Sequence, residues 1–303
     1  MSIAVLHEHP VWNAPLFDEL TRRGIRAVSF NAVDPAEPQG FSLVFNRMSA
    51  SAWTRGNSEA LKKTPGLLMQ FESSGVPVVN GSTAFAYEIS KRDQIELFER
   101  EGIRHPRTRA VHTLEELLGA ATDFSFPILV KPNTGGSGVG IESFDSLRDL
   151  RVAVGDRTIE LGPGGTGLIQ KRLRAQGGSI VRLEILDGEL LYAIRLSLQP
   201  DSFNLCPADY CRRDGPTVDP ADQVERIDPP AELVSTAIRA LTAAGADLGS
   251  VEYLVSDHDG EAYFYDLNVN SNFVADAVQV VGFDPFRSLV DYLESRRVIA
   301  VPA

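Results

Sequence analysis

The stretch LVKPNTGGSGVGI, residues 129–141, joins a short apolar run to a lysine and to four glycines within six residues. The segment FPILV predicts a buried strand, which the glycines end because glycine weakens a strand interior. A backbone without side chains can approach a ligand closely, and its N–H groups can bind phosphate oxygens. The next segment, VGIESF, predicts a second strand. The pattern therefore favours a flap between two strands with Lys131 at its base, and a plain surface hairpin is the alternative.

This loop differs from the two common glycine-rich nucleotide loops. In the Walker and Rossmann motifs a helix follows the glycines, and the Walker lysine comes after them. Here a strand follows, and the lysine precedes the loop. If the loop binds phosphate, it does so as a lid rather than as a strand-to-helix turn.

The composition is that of a globular protein, with 303 residues, 43% hydrophobic residues and a net charge of −12. The length allows one large domain or two to three small ones. The acidic charge argues against a nonspecific nucleic-acid binder, which needs a basic surface. No apolar run is long enough to span a membrane, and the N-terminus lacks a signal-peptide pattern. Cys206 and Cys211 are too few for a disulfide framework or a zinc site. We expect a cytoplasmic protein.

The chain changes character along its length. Strand and helix patterns alternate over the first ninety residues or so, which predicts an α/β unit with a parallel sheet. A helix is predicted from Ala84 to Glu101. From Phe126 onwards the segments are rich in strands and predict an α+β part, where Asp187 and Gly188 lie between two apolar runs and predict a hairpin.

A candidate metal site lies at the end of the segment AYFYDLN. Asp266 and Asn268 are two residues apart on a predicted strand, so their side chains share a face. Glu252 is on the preceding strand, and a hairpin would bring it beside Asp266. Carboxylate and amide oxygens are the hard ligands that Mg²⁺ prefers. The alternative is a polar strand edge.

Four basic residues stand outside any surface-charge pattern: Lys91 opens the amphipathic part of the predicted helix, and Lys171, Arg182 and Arg195 lie on predicted strands that are otherwise apolar. Each alone is explained by a solvated strand or helix face, and together they favour a positively charged pocket. His7 and His9 have no apparent third ligand for a zinc site. They follow the first strand, where open α/β sheets often contact a ligand.

Taken in order, five segments resemble the ATP-grasp superfamily, and within it the RimK-like and glutathione-synthetase-like carboxylate–amine ligases. The resemblance covers residues 80–275 and rests on SKRDQIELFEREGIRHPRT, FPILVKPNTGGSGVGI, GLIQKRL, VRLEILDGELLYAIR and FYDLNVN. It implies an N-terminal α/β pre-ATP-grasp domain (1–85), a central domain with the ATP lid (86–172) and a C-terminal catalytic domain (173–303).

The resemblance also implies site residues. ATP would be bound by Lys91, Lys131, the lid residues Gly135, Gly136, Ser137 and Gly138, and the adenine-binding segment Gln170, Lys171 and Leu173. Two Mg²⁺ ions, or Mn²⁺ instead, would be bound by Glu252, Asp266 and Asn268. The acyl-phosphate and substrate side would be lined by Arg182, Arg195 and Asn204. Substrate choice would rest on His7, Glu8, Trp12, Arg47 and residues 195–213.

The activity implied is ATP-dependent joining of a carboxylate to an amine through an acyl phosphate, with release of ADP and phosphate. The substrates would be amino acids or short peptides. The alternatives are a ligase that modifies a protein or ribosomal peptide tail, a small-molecule kinase, and a nucleotide-binding regulatory protein. A homodimer is left open. The chain departs from the family in having Asp266 where the metal motif usually has Glu, and in QKRL, which lacks an acidic partner for ribose.

Overall fold

The computed structural model describes residues 2–33, 40–198 and 224–297. Asn204, predicted to line the substrate side, lies outside the described residues. The described chain forms three sheets, which follow one another along the sequence. None of the helices in these ranges is both long and apolar enough to cross a membrane.

The first sheet is parallel, as the alternation of strand and helix patterns predicts. Its strands lie in the order β2-β1-β3-β4. They are β1 (Ser2–Leu6), β2 (Ala27–Phe30), β3 (Phe41–Asn46) and β4 (Val78–Val79). They are connected by helices α1 (Ala14–Arg22) and α2 (Ser58–Ser73) and by 3₁₀ helices at Pro10–Asn13 and Ala50–Arg55.

The helix predicted from Ala84 to Glu101 is in fact two helices, α3 (Ser82–Glu88) and α4 (Lys91–Arg100). Ser90 separates them, because its hydroxyl oxygen accepts the N–H of Asp93 at 3.2 Å and caps α4. Lys91 is therefore the first residue of a helix, and its backbone N–H donates to the flap.

The central sheet is antiparallel, in the order β5-β8-β6-β7. Its strands are β5 (Thr108–Val111), β6 (Ile128–Pro132), β7 (Glu142–Phe144) and β8 (Gly167–Lys171). Helices α5 (Leu114–Ala121) and α6 (Leu147–Gly155) pack on it. The glycine-rich loop connects β6 to β7, which is the strand-to-strand connection predicted from the sequence.

The C-terminal sheet is also antiparallel, in the order β11-β10-β9-β12-β13. Its strands are β9 (Ser179–Leu186), β10 (Glu189–Ser197), β11 (Val224–Arg226), β12 (Leu248–Val255) and β13 (Ala262–Asn268). The helices of this part are α7 (Ala231–Ala243), α8 (Ala277–Val280) and α9 (Pro285–Arg296), with a 3₁₀ turn at Gln176–Gly178. The predicted turn at Asp187 and Gly188 connects β9 to β10.

The hydrophobic cores divide the chain differently from the predicted domains. One face of the C-terminal sheet shares a core with the N-terminal sheet and α9. The other face packs against α3, α4 and α7, and α4 contributes Ile95, Leu97 and Phe98 to that core. The central sheet has a core of its own. The boundary predicted at residue 86 therefore does not coincide with a core boundary, because the apolar face of α4 is buried on the C-terminal sheet.

Candidate functional site

One cavity lies where the flap, the C-terminal sheet and the N-terminal unit meet. Eleven of the predicted site residues line it together. They are Lys91, Lys131, Gly135, Gly136, Ser137, Gly138, Gln170, Arg182, Glu252, Asp266 and Asn268. The sequence patterns that suggested a phosphate loop, a metal strand and a positive pocket thus converge on one place.

The base of the flap is fixed to the start of α4. The backbone N–H of Lys91 donates to the carbonyl of Asn133 at 3.0 Å, and the N–H of Arg92 donates to Asn133 Oδ1 at 2.7 Å. Thr134 Oγ1 donates to the carbonyl of Ile89 at 2.7 Å. These hydrogen bonds fix the position of the base of the flap relative to Lys91.

The tip of the flap lies against the N-terminal unit. A Cβ atom on Gly135 would be 3.4 Å from Trp53 Nε1, and one on Gly136 would be 3.6 Å from Ser51 Cβ. Gly140 has a φ of +74°, and a Cβ there would lie 2.8 Å from Pro132 Cγ. Glycine is therefore needed at Gly140 for both conformation and space.

The two lysines of the cavity have different surroundings. Lys131 is 5% exposed, and burial together with the positive charge of Lys91 lowers its pKa to about 7. Lys91 forms an ion pair with Asp266. Burial acts to lower the pKa of Lys91, but the carboxylates of Asp266, Glu252 and Glu88 together raise that pKa. Lys91 is thus charged and paired, whereas Lys131 is a desolvated amine with an affinity for an anion.

The carboxylates of the predicted metal site lie side by side. Glu252 is directly opposite Asp266 on β13 and opposite Arg182 on β9. Arg182 Nη1 donates to Glu252 Oε1 at 2.9 Å. Burial raises the pKa of Glu252. Burial also acts to raise the pKa of Asp266, but Lys91 and Lys131 bring it below the ordinary value.

The donor set fits a hard divalent cation. Asn268 Nδ2 donates to Asp266 Oδ2 at 3.3 Å, which places the Asn268 amide beside that carboxylate, and Glu252 lines the same cavity. Two carboxylates and one amide oxygen match the ligand preference of Mg²⁺. Within the described ranges no group of three or more His, Cys, Asp and Glu side chains could hold a metal ion, so this site depends on the amide as its third ligand.

A β-bulge brings Asp266 to its position. Glu252 pairs with Asp266 and Tyr253 pairs with Phe264, so Tyr265 is an extra residue in β13. Tyr265 also lines the cavity. Burial and the neighbouring Glu252 raise the pKa of Tyr265 well above its ordinary value, so its hydroxyl stays protonated. Sequence reasoning missed Tyr265, because strict alternation along the strand does not predict it.

Glu88 is a second residue that the sequence did not reveal. It ends α3 and lines the cavity. Its carboxylate accepts the backbone N–H groups of Ala50 at 3.1 Å, Val269 at 3.0 Å and Asn270 at 3.2 Å. Burial raises the pKa of Glu88. Glu88 thus ties the N-terminal unit to the segment that follows β13, and no local sequence signal marks such backbone contacts.

The prediction that Arg195 lines the substrate side needs correction. Arg195 pairs with Val181 on β9, whereas Ile194 pairs with Arg182. Arg195 therefore points to the opposite face of the sheet from Arg182. It donates to Glu225 Oε2 at 2.7 Å, and its side chain is 45% exposed. This is the solvated strand face that the sequence left as the alternative.

Two residues of the predicted adenine segment also lie outside the cavity lining. Lys171 Nζ donates to the carbonyls of Ser125 at 3.0 Å and Phe126 at 3.1 Å, so its side chain fastens the chain before β6. Leu173 follows β8 and is partly buried. The contacts of Lys171 and Leu173 with adenine were expected through their backbone groups, and those contacts stay a prediction. Gln170 does line the cavity.

The predicted substrate determinants form part of the N-terminal wall. Trp12 lines the cavity and stacks on His9 with ring centroids 4.5 Å apart. The guanidinium of Arg55 lies 4.1 Å from the Trp12 ring, and Arg55 is paired with Glu8. Trp12 is therefore held rigidly at the cavity wall.

The other two predicted determinants act as supports. Arg47 donates to the carbonyl of Ser271 at 2.6 Å and to Asn272 Oδ1 at 2.7 Å. It therefore supports the segment after β13. The His7 Nε2 atom is 2.6 Å from Ser29 Oγ, so His7 contacts the neighbouring strand and is not among the residues that line the cavity.

No model of a known protein family matches the sequence. The chain is 26% identical over 228 residues to the probable alpha-L-glutamate ligase 1 of Hahella chejuensis, which covers 73% of this chain and 66% of that protein. The match therefore spans slightly less than two thirds of the relative. A similar protein from Pseudoalteromonas translucida is 26% identical over 84% of this chain and 77% of its own length.

The fold is shared with solved ligases. The D-cycloserine synthetase DcsG superposes with a TM-score of 0.71 and 18% identity, over 97% of this chain and 99% of that chain. The ATP-grasp ligase PsnB, solved with a minimal precursor, Mg and ADP, superposes with a TM-score of 0.67 and 18% identity, over 97% and 96% of the two chains. At such identities the likeness establishes the fold, and the functions of individual side chains must be argued from the cavity itself.

Proposed function

Because the chain belongs to the ATP-grasp superfamily, we propose that it is an ATP-dependent ligase that joins a carboxylate to an amine. The observation that carries this proposal is the convergence of Lys91, Lys131, Glu252 and Asp266 under the glycine flap. Phosphoryl transfer requires cationic groups that bind the phosphates and oxygen ligands that bind a divalent cation. The two lysines and the two carboxylates supply these groups.

The residues of the cavity suit the two steps of such a reaction. A carboxylate is a poor electrophile, and phosphorylation by ATP gives it a phosphate leaving group. An amine then attacks the acyl carbon, the C–N bond forms, and phosphate leaves. Lys131 and Lys91 would bind the phosphates, and the flap would exclude water, which otherwise hydrolyses the acyl phosphate. Glu252, Asp266 and Asn268 would hold Mg²⁺, which neutralises phosphate charge when bound.

The substrate class is inferred from the relatives and from the N-terminal wall of the cavity. The named relatives are glutamate ligases, and the N-terminal wall offers an aromatic ring at Trp12 and hydroxyl groups at Ser49 and Ser51. We propose that the substrates are amino acids or short peptides. The two ions, the replacement of Mg²⁺ by Mn²⁺ and a homodimer belong to the same proposal and await measurement.

A trapping screen tests the activity. The purified protein is incubated with Mg-ATP and hydroxylamine, and with each common amino acid or one of a set of dipeptides as the carboxylate. ADP release is measured together with hydroxamate formation, because hydroxylamine converts an acyl phosphate into a hydroxamate. For at least one carboxylate, the amount of hydroxamate formed is expected to equal the amount of ADP released. Asp266→Asn serves as the inactive control, since it removes one charge at the metal site.

The other outcomes separate the alternatives. ADP release with a stable phosphorylated product and no hydroxamate would identify a small-molecule kinase. Nucleotide binding without any turnover would identify a regulatory protein. Hydroxamate formation with the dipeptides but with none of the free amino acids would identify a ligase that modifies a protein or peptide tail.

A further inference from the structure

Behind the candidate metal site lies a buried ring of three side chains that the proposed chemistry does not use. Arg182 Nε donates to Glu184 Oε1 at 2.7 Å, and Arg182 Nη2 donates to Ser271 Oγ at 3.4 Å. Ser271 Oγ in turn donates to Glu184. Arg182 is 6%, Glu184 0% and Ser271 2% exposed. We call these three residues the Arg182 ring.

The Arg182 ring occupies one edge of the guanidinium. Arginine usually binds a carboxylate through two parallel N–H groups, which engage both carboxylate oxygens. Here the Nε and Nη2 edge is taken by Glu184 and Ser271, and Glu252 receives one N–H, from Nη1 to Oε1 at 2.9 Å. Glu252 is thus oriented by Arg182 through a single hydrogen bond and is not bound at both oxygens.

Charge adds to this effect. With both glutamates ionised, Arg182, Glu184 and Glu252 together have a net charge of −1, which favours a cation at the cavity. If Glu184 were neutral, the group would have no net charge, and Arg182 would be free to turn fully towards Glu252. Both changes would oppose the binding of a divalent cation.

Stability alone does not explain the ring. It lies on the sheet face that otherwise packs apolar residues such as Ile180, Tyr192 and Ile194. Buried ion pairs are often no more stabilising than apolar residues of the same size. Glu184 shares the face of Arg182 because the two residues are two apart on β9, and it is not among the residues that line the cavity.

We propose that Glu184 is a positioning residue for the metal site, acting with Ser271 through Arg182 to leave one oxygen of Glu252 for the cation. This inference rests on the proposed nucleotide and metal site. It assigns to Glu184 no contact with nucleotide or substrate. The outer partners of metal ligands commonly affect metal affinity by about ten- to a hundredfold when they are replaced.

The test compares Glu184→Gln with Glu225→Gln. Both variants neutralise a glutamate that pairs with an arginine at 2.7 Å in the same sheet, but the Arg195–Glu225 pair is away from the cavity. Mn²⁺ binding is measured by electron paramagnetic resonance in the presence of ADP, and ADP binding without metal is measured by calorimetry. Glu184→Gln is expected to weaken Mn²⁺ binding about tenfold or more and to leave metal-free ADP binding unchanged. Glu225→Gln is expected to match the wild type in both.

A second variant covers the case in which Glu184→Gln does not fold. Ser271→Ala frees Arg182 Nη2 while it leaves Glu184 in place, and it is expected to weaken Mn²⁺ binding in the same direction by a smaller factor. A lower melting temperature with wild-type Mn²⁺ affinity, in whichever variant folds, would overturn the inference and leave a purely structural ring. Failure of the wild type to bind Mn²⁺ with ADP would instead overturn the proposed metal site, and this inference with it.

Discussion

At the scale of single residues, burial and ion pairing determine the pKa of each charged side chain in the cavity. Lys131 is buried and Lys91 is partly buried, and Lys91 is paired with Asp266 whereas Lys131 is not among the described ion pairs. Burial of Lys131 lowers the pKa of its amine to about 7, so the lysine destabilises the folded protein wherever the unfolded chain is protonated. This destabilisation is complete below pH 7 and is lost between pH 7 and the ordinary lysine value of about 10, so the stability rises with pH across that window.

The first prediction concerns proton uptake at Lys131. Phosphate favours the charged amine and raises the pKa of Lys131 above 7, so nucleotide binding above that pH takes up a proton. Affinity for Mg-ADP should therefore fall as the pH rises through 7 and beyond. Calorimetry at about pH 8 in two buffers of different ionisation enthalpy measures the uptake. Lys131→Arg is the control, since arginine stays charged and should bind without uptake, and a wild type without uptake would contradict the assignment.

The second prediction concerns Arg195. Its pair with Glu225 is exposed, and exposed pairs contribute at most about 1 kcal/mol. Arg195→Ala should therefore leave turnover at the wild-type level and change the free energy of unfolding only slightly. The measurements are kcat on the carboxylate that gives hydroxamate and a urea unfolding curve. A large loss of turnover in the folded variant would show that Arg195 takes part in the reaction.

At the scale of elements, two β-bulges decide which side chains reach the cavity. In β10 the pairing shifts between Leu190 and Tyr192, and this shift turns Arg195 away from the face of Arg182. In β13 the extra residue Tyr265 turns Asp266 towards Glu252. A shift of one residue moves every later side chain to the other face.

These bulges also explain what the sequence could predict. The strands, the flap and the Asp187 turn follow from local patterns and were predicted. The grouping of Lys131 with Asp266 required the family order of motifs. The bulges and the support from Glu88 depend on packing between distant segments, which a local pattern does not encode. The break before Lys91 has a local cause in the Ser90 cap, which the prediction of one continuous helix did not include.

The third prediction concerns the flap. Alanine at Gly140 would combine a left-handed backbone, which costs about 1–2 kcal/mol for an L-residue, with a contact to Pro132. Mg-ADP is expected to slow hydrogen exchange in residues 133–140 of the wild type, and Gly140→Ala should displace the flap, weaken nucleotide binding and abolish that slowing. Hydrogen exchange with mass spectrometry measures both proteins. No slowing in the wild type would contradict the lid assignment, and equal slowing in the two proteins would contradict the requirement for glycine at position 140.

A matched control is available in the same sheet unit. Gly119 lies in α5, and a Cβ there would meet no atom within 4 Å. Gly119→Ala should stabilise the helix by about 0.5–1 kcal/mol and leave nucleotide binding unchanged.

At the scale of the whole molecule, the three sheets are held by unequal means. The N-terminal and C-terminal sheets share one continuous core, whereas the central sheet encloses a core of its own. The central unit contacts the rest through polar groups, such as the N–H of Lys91 to the carbonyl of Asn133 at 3.0 Å and the hydroxyl of Thr134 to the carbonyl of Ile89 at 2.7 Å. Units joined by small polar interfaces move relative to one another by default.

The last prediction follows from this division. Differential scanning calorimetry without nucleotide should show two transitions, with the central unit accounting for the smaller one, because its core can melt without opening the shared core. Mg-ADP would contact Lys131 of the central unit and Asp266 of the C-terminal sheet at once, so it should couple the units and merge the transitions. Gly119→Ala identifies the central unit, since it should raise the smaller transition alone. A single transition without nucleotide, shifted as a whole by Gly119→Ala, would show that the central sheet unfolds with the rest and that closure of the flap is not a movement of a separate unit.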